Sequence, residues 1–542
     1  MNHESADGKS SPLANFKWWE RGIIYQIYPR SFMDSNGDGI GDLAGIRSRL
    51  DYLQWLGVDA IWISPIYPSP MADFGYDISN YTDVDPIFGT LDDFDALLAD
   101  AHGRGLKVLL DYVPNHTSDQ HPWFLDARSS RKSAKRDWYI WRDPKPDGGP
   151  PNNWLSNFGG GAWEWEPASA QYYYHAFLKE QPDLNWRNPE VQGAMLKVLR
   201  FWLDRGVDGF RVDVMHHLIK DSEFRDNPPN PDWRPGMSPY RELLTTYTAD
   251  LPEVQEIVAN FRSVIEEYDD RMLVGEIYLP MERLMAYYGA SGKGAHLPFN
   301  FQLLRLPWNA REIMAAVERY EALLPPYAWP NWVLGNHDRS RIATRVGPAQ
   351  ARVAAMLLLT LRGTPTMYYG DEIGMRDVPI SGDQVHDPFE KNVPGLGMGR
   401  DPERTPMQWS GDEHAGFTKG NPWLPIANDY QTVNVARERG HPNSLLALYH
   451  RLIELRRAEP ALSVGEFAPL PASGDLMAYV RKLSERRLLI VLNLSARAQS
   501  FSLSELQCRG SLLFTTHLDR SREELLDKLE LRPDEGLIIE LL

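Results

Sequence analysis

The sequence predicts an α/β fold: a (β/α)8 TIM barrel with an inserted loop-rich domain after strand 3 and a C-terminal antiparallel β-domain. Three observations carry that expectation. Eight short, nearly unbroken apolar runs recur over the first two-thirds of the chain, each followed by a polar turn rich in Gly, Asp and Asn. Segments with apolar residues at helical spacing lie between most of them, and doubly buried strands alternating with helices make a parallel sheet. Past about residue 460 the pattern changes to strict alternation with short turns, the period of antiparallel strands.

In order, the runs are GIIYQIYPRSF, DAIWISPIY, LKVLLDYVPNH, GVDGFRVDV, RMLVGEIYLP, HLPFNFQL, WVLGNHD and TPTMYYGDE. Helical segments such as LAGIRSRLDYLQWLG, LDDFDALLADAHGRG and QGAMLKVLRFWLDRG end at Gly, the residue that closes a helix without steric cost. Two insertions break the rhythm. After LLDYVPNH, about sixty residues rich in Pro, Gly, Asn, Asp and Trp precede the next helix, and a loop of that length inside a barrel is expected to be a small functional domain. The second insertion follows YYGDEIGM and runs to RTPMQW. The last stretch, with DLMAYVRKL, RRLLIVLNLS, GSLLFTT and GLIIELL, reads as a β-sandwich. The expected domains are therefore 1–116 with 177–459 for the barrel, 117–176 for the insertion and 460–542 for the sandwich.

Composition narrows the partners. A net charge of −17 disfavours nucleic acid and anionic membrane, both of which need a basic surface. The 18 Trp and 24 Tyr suit stacking on sugar rings as well as core packing. The single cysteine, Cys508, excludes an intramolecular disulfide and reads as structural. The N-terminus, MNHESADGKSSPLANF, has no apolar signal-peptide core, and no apolar run spans a bilayer, so a cytoplasmic protein is expected.

The stretch DSNGDGIGD, residues 34–42, resembles the front of a calcium loop. An EF-hand would need Glu at position twelve, which is Gly45, and a helix in front, where the apolar run reads as a strand. What remains is a cage of oxygen donors suited to a hard cation, or a Gly-rich turn whose side chains cap their own backbone.

In such a barrel the chemistry sits at the C-terminal ends of the strands. There the runs place Asp111 and His116 (third), Arg211 and Asp213 (fourth), Glu276 (fifth), and His337 and Asp338 (seventh). Arg211 and Asp213, two apart on a strand, point the same way, and the guanidinium is expected to keep Asp213 ionised as a nucleophile. Glu276, buried among negative neighbours, is expected to have a raised pKa suited to a general acid. One carboxylate low and one high is the glycosidase arrangement. A salt-bridge network explains Arg211 with Asp213 but not the two further acids and two histidines on the same rim.

DYVPNH, GFRVDV, GEIY and GNHD, in that order, resemble the four short motifs of the α-amylase superfamily, glycoside hydrolase family 13. QPDLN (181–185), DFGYD (73–77) and RDPERTPMQW (400–409) resemble segments of its α-glucosidase and oligo-1,6-glucosidase branch. The resemblance implies that Asp213 is the nucleophile, Glu276 the acid and then base, and Asp338 the holder of the 2- and 3-hydroxyls of the distorted glucose. It implies that His116 and His337 donate to the same ring, that Arg211 orients Asp213, that Asp111 completes the −1 subsite and that Tyr76 stacks beneath the sugar. Asp73 and Arg400 would hold the terminal 4- and 6-hydroxyls and close the site, which permits only exo action on short chains. Phe158 and Phe177 match aromatic positions flanking the scissile bond, or simply pack the inserted domain. The branch also holds a structural calcium or magnesium ion after the first strand, implying Asp34, Asn36, Asp38, the Ile40 carbonyl and Asp42 as its ligands. Val214, just after the nucleophile, resembles α-1,6-preferring members, although the following MHHLIKD departs from them.

The expected function is thus an exo-acting, retaining α-glucosidase acting on maltose, isomalto-oligosaccharide or sucrose-type substrates as a monomer or homodimer. Two further readings share the sequence: an α-glucosyl transferase or sugar isomerase with the same machinery, and a non-catalytic binding relative, which would be expected to have lost one of Asp213, Glu276 or Asp338.

Overall fold

The computed structural model describes residues 13–503, 509–525 and 528–542. Cys508 and the N-terminal residues 1–12 lie outside them. Eight parallel strands form the central sheet: β1 (Ile24–Ile27), β2 (Ala60–Ile63), β3 (Lys107–Tyr112), β7 (Gly209–Val212), β8 (Met272–Gly275), β9 (Leu297–Pro298), β10 (Asn331–Val333) and β11 (Thr364–Tyr368), in the order β10-β11-β1-β2-β3-β7-β8-β9. All eight apolar runs become strands of this sheet. The register runs Ile24↔Ala60↔Lys107, then Leu109↔Gly209↔Met272. Between β9 and β10 no backbone ladder forms among the described residues; the Asn331 side chain closes the cylinder there, accepting from Asn300 N at 2.9 Å and donating to Pro298 O at 2.6 Å.

Strand parity sorts the side chains. Ile24, Ala60, Trp62, Leu109, Met272 and Val274 form one buried cluster inside the cylinder. Their neighbours Tyr25, Ile61, Val108, Phe210 and Leu273 join the larger cluster beneath the helices. Both faces of each strand are therefore buried, which explains the near-continuous apolar runs. The covering helices carry the expected signals: Thr90 and Asp93 cap Leu91–Gly103 reciprocally, Asn188 caps Pro189–Asp204, and Gly57 ends Leu50–Leu56 at φ 94°.

Three short antiparallel strands, β4 (Trp141–Arg142), β5 (Trp163–Glu166) and β6 (Gln171–Tyr174), organise the first insertion around Trp154, Trp163 and Tyr174. Asp183 ties it to the barrel: its Oδ1 accepts from Ala176 N at 2.6 Å, and it pairs with the buried Lys220, which donates to Asn115 Oδ1 at 2.7 Å. At the C-terminus β12 (Glu466–Leu470), β13 (Leu476–Leu483), β14 (Arg486–Asn493), β16 (Gly510–Thr515), β17 (Glu524–Leu525) and β19 (Gly536–Leu541) form a six-stranded sheet. The pair β15 (Gln499–Ser502) and β18 (Lys528–Leu531) packs on it. Alternation decides the faces: Ala478, Leu489, Val491 and Ile539 meet Phe501, Leu529 and Leu531, whereas Tyr479, Leu488, Ile490 and Ile538 join the core shared with the barrel.

Candidate active site

Arg211 organises the mouth of the cylinder. It lies on β7 with the inward parity of Gly209 and Asp213, and it is fully buried. Its Nη1 donates to Asp111 Oδ1 and Asp213 Oδ1, each at 2.7 Å, and its Nη2 reaches Glu276 Oε2 at 2.8 Å. The two nitrogens of one guanidinium thus hold Asp213 and Glu276 side by side. Glu276 accepts a further bond from Val214 N at 2.9 Å. Val214 stands in the left-handed region (φ 35°, ψ 45°), a costly conformation for a β-branched residue, and that turn aims its N–H at Glu276.

The electrostatics correct one expectation. Burial and then the Glu276 charge raise the Asp213 carboxyl well above its ordinary value, outweighing Arg211. Burial likewise raises Glu276, against Arg211. Arg211 therefore does not single out Asp213 for ionisation; it serves two neighbouring carboxyls that both stand above their ordinary values and titrate together. Burial pushes Asp111 up to about 6 in spite of Arg211. Asp338 differs. Burial opposes its ionisation, but the Arg404, Arg400 and Arg211 guanidiniums together hold it well below the usual carboxylate range.

The remaining expected residues surround this pair. His337 Nε2 lies 2.7 Å from the Tyr76 hydroxyl, and the two rings are stacked. Tyr76 donates to Asp111 Oδ2 at 3.2 Å, the oxygen that also accepts from Trp62 Nε1. His116 directs Nε2 at the Tyr76 carbonyl (3.1 Å), and burial lowers its pKa to about 4, so it is neutral. Arg400 seals the far side: its Nη2 donates to Asp73 Oδ1 and Asp387 Oδ1, each at 2.6 Å, and Nη1 faces Asp338 at 3.4 Å. Phe158 lies 5.0 Å from the Arg400 guanidinium and edge-on to Phe177, whose ring adjoins His116. Phe158 thus adjoins Arg400, while Phe177 adjoins His116 and also packs against the Trp154, Trp163 and Tyr174 cluster of the insertion.

Several residues here were not foreseen individually. Arg404 donates to Asp338 Oδ1 (2.8 Å) and to the His337 carbonyl (2.7 Å). It stands in the quoted RDPERTPMQW segment, so a signal existed. Asp387, which grips Arg400, and Gln26, which faces His337 from β1, lie outside every quoted motif.

A family comparison follows the geometry. The alpha-amylase catalytic domain family matches residues 26–465. The chain belongs to the α-amylase family. Relatives within it include a probable alpha-glucosidase of Rhizobium meliloti (strain 1021), 44% identical over 500 residues, with 90% of this chain and 91% of the relative covered. An oligo-1,6-glucosidase of Parageobacillus thermoglucosidasius is 37% identical over 564 residues, covering 97% and 99%. Among solved structures, the alpha-glucosyl transfer enzyme XgtA superposes with a TM-score of 0.92 at 40% identity, covering 97% of this chain and all of the other. The trehalulose synthase MutB from Pseudomonas mesoacidophila MX-45 superposes at 0.89 and 35%, covering 97% and 99%.

The loop at 34–42 is tied down from within. A short helical turn, Pro29–Phe32, intervenes between β1 and the loop, where the sequence suggested strand alone. Asp34 accepts from the amides of Asn36, Gly37 and Gly39 and from Thr418, and Asp42 accepts from Ser35 and Gly45. Asn36 and Asp38 cap the amides of Asp38 and Ile40. Among the described residues no group of three or more His, Cys, Asp or Glu is placed to hold a metal ion. As placed, the side chains do the work of a self-capped turn, although the donor set is chemically suited to calcium or magnesium. No helix among the described residues is long and apolar enough to cross a membrane.

Proposed function

We propose that this family member is an exo-acting, retaining α-glucosidase that releases α-glucose from the non-reducing end of short α-glucosides. The observation that carries the reading is the pair of carboxylates, Asp213 and Glu276, gripped by the two nitrogens of Arg211, at a site walled by the Asp73–Arg400–Asp387 cluster. Inverting glycosidases hold their carboxyl groups roughly 6.5–9.5 Å apart to seat a water, whereas two carboxylates on one guanidinium fork suit the roughly 5–5.5 Å spacing of retaining enzymes. A walled pocket admits one terminal glucose and stops a longer chain from threading through.

A proton on Glu276 and an ionised Asp213 give the first step its parts. Glu276 delivers the proton to the glycosidic oxygen while Asp213 attacks C1; the C1–O bond breaks, an Asp213–C1 ester forms, and the leaving sugar departs neutral. Water then gives a proton to Glu276 and its oxygen to C1, the ester opens, and α-glucose leaves with Asp213 ionised again. Two inversions retain the anomer. Asp338, held as an anion, accepts from the 2- and 3-hydroxyls and favours the cationic transition state. Asp73 and Arg400 bind the terminal hydroxyls, His116, His337, Tyr76 and Asp111 line the −1 sugar, and Phe158, Phe177 and Val214 border the acceptor side.

On its donor set alone, the 34–42 loop is proposed to take a calcium or magnesium ion through Asp34, Asn36, Asp38, the Ile40 carbonyl and Asp42; the role is structural. The chain is proposed to work in the cytoplasm as a monomer or homodimer. A second reading, glucosyl transfer or sugar isomerisation by the same ester, is favoured by the similarity to XgtA and MutB. Proton NMR time courses with maltose, isomaltose, sucrose and trehalose decide between them. α-Glucose as the first product supports the α-glucosidase; β-glucose first refutes retention; new glycosidic signals in place of glucose establish transfer or isomerisation.

A further inference from the structure

We propose that Gln26 is a positioning residue of this site: its side-chain amide fixes the His337 proton on Nε2, the nitrogen that faces Tyr76 and Asp338. Gln26 is the third residue of β1 and has the inward parity of Ile24. It is fully buried. Its Nε2 lies 2.7 Å from His337 Nδ1 and 3.4 Å from Ser64 Oγ, and its Oε1 has no partner. Turning the amide over would point Oε1 at His337 and leave an NH2 group, two donors instead of one acceptor, in the empty place. Unmet donors in a dry interior are costly, so the amide donates and Nδ1 accepts.

The imidazole has no freedom to answer by rotating. It is stacked between Tyr76 (5.4 Å, 3°) and Tyr28 (5.8 Å, 19°), and Arg404 grips its backbone carbonyl. Burial holds it neutral. A neutral ring that accepts at Nδ1 carries its proton on Nε2, 2.7 Å from the Tyr76 oxygen and 3.5 Å from Asp338 Oδ2. The Tyr76 hydroxyl is then free to donate to Asp111 Oδ2, which completes a one-way chain from Gln26 through His337 and Tyr76 to Asp111. The other tautomer would turn a lone pair toward the Asp338 carboxylate and draw the Tyr76 hydroxyl proton away from Asp111. Strand β1 thus sets the polarity of a hydrogen bond made at the ends of β3 and β10.

The kinetic part of this inference rests on the α-glucosidase reading; the tautomer does not. The test is 15N NMR of histidine-labelled wild type, with His337→Ala for assignment, together with a kinetic cycle of Gln26→Met, His337→Ala and the double variant. The expected spectrum shows a protonated Nε2 and a bare Nδ1 at His337, reversed in Gln26→Glu, whose carboxylate draws the proton to Nδ1. Gln26→Met is expected to lower kcat/KM on maltose about 10- to 100-fold, the worth of one buried hydrogen bond of about 1.4–2.7 kcal/mol. In the His337→Ala background the same change is expected to cost nothing further. A protonated Nδ1 in the wild type, or losses that multiply in the double variant, overturns the proposal. If the variants do not fold, the wild-type spectrum alone decides the tautomer. If no α-glucoside is hydrolysed, the functional reading fails and the spectrum still judges Gln26.

Discussion

Arg211→Lys keeps a positive charge in the site and removes the fork. Arg211 serves three carboxylates with two terminal nitrogens, at 2.7, 2.7 and 2.8 Å. A lysine ammonium is a point charge; seated between Asp111 and Asp213 it leaves Glu276 without its cation. One lost charge-assisted hydrogen bond costs about 1.5–3 kcal/mol. Asp213 and Glu276 can answer by taking a second proton, which keeps the cost below the about 3–5 kcal/mol of a buried charge stripped of its partner. Unfolding entropy is about 2.1 cal/mol/K per residue, so for 542 residues the expected fall in Tm is only about 1–3 °C. Activity suffers far more. A second proton neutralises the nucleophile, and the expected loss in kcat is about 1000-fold, equivalent to about 4 kcal/mol. Calorimetric melting with initial rates on maltose and on an aryl α-glucoside reads both quantities. A kcat within about tenfold of wild type would refute the idea that the fork poises the pair. A fall in Tm beyond about 10 °C would assign Arg211 to the scaffold instead.

Glu276→Gln is expected to impair maltose hydrolysis far more than that of an activated aryl glucoside, whose leaving group needs no acid; equal losses on both, read as kcat/KM, argue against an acid role. Arg400→Ala removes the pocket wall, so chromatography of maltotetraose digests should show maltose released beside glucose, and glucose alone would mean that the wall does not set exo action. Asp371 is buried, with one unpartnered oxygen, and burial raises its pKa to about 7. The native carboxyl keeps a proton that the unfolded chain loses from about pH 4 upward, so its contribution, at most about 4 kcal/mol, is present below pH 4 and lost as pH rises through about 7. Asp371→Asn should therefore flatten Tm between about pH 4 and about pH 7, the range this group governs, and an unchanged slope assigns the dependence elsewhere. Calcium should raise Tm and a chelator lower it without altering turnover per folded molecule; a Tm indifferent to both removes the ion from the 34–42 loop.

How much of this could be read from the chain depends on distance along it. The eight strands were legible because burial on both faces leaves an apolar run, and the C-terminal sandwich because burial on alternate faces leaves a period of two. Arg211 and Asp213 were legible by parity within one strand. Applied to β1, the same parity would have pointed Gln26 inward, yet a glutamine amid Ile and Tyr carries no charge to draw notice. The meeting of Asp73 with Arg400, 327 residues apart, was visible only through resemblance. Asp387 gave no sign, since an Asp before Pro reads first as a helix cap, which it also is. The sign of the Asp213 shift was missed because sequence shows the neighbouring arginine and not the depth of burial that outweighs it.

The closure of the cylinder at Asn331 has a mechanical consequence. Seven of its meridians are zipped by backbone ladders, and the eighth is buttoned by one amide side chain. That line runs just beyond the strand bearing Glu276 and beside the strand that leads to Asp338. Glu276 and Asp338 therefore stand on opposite sides of the one seam, among the described residues, that a side chain bridges in place of a backbone ladder.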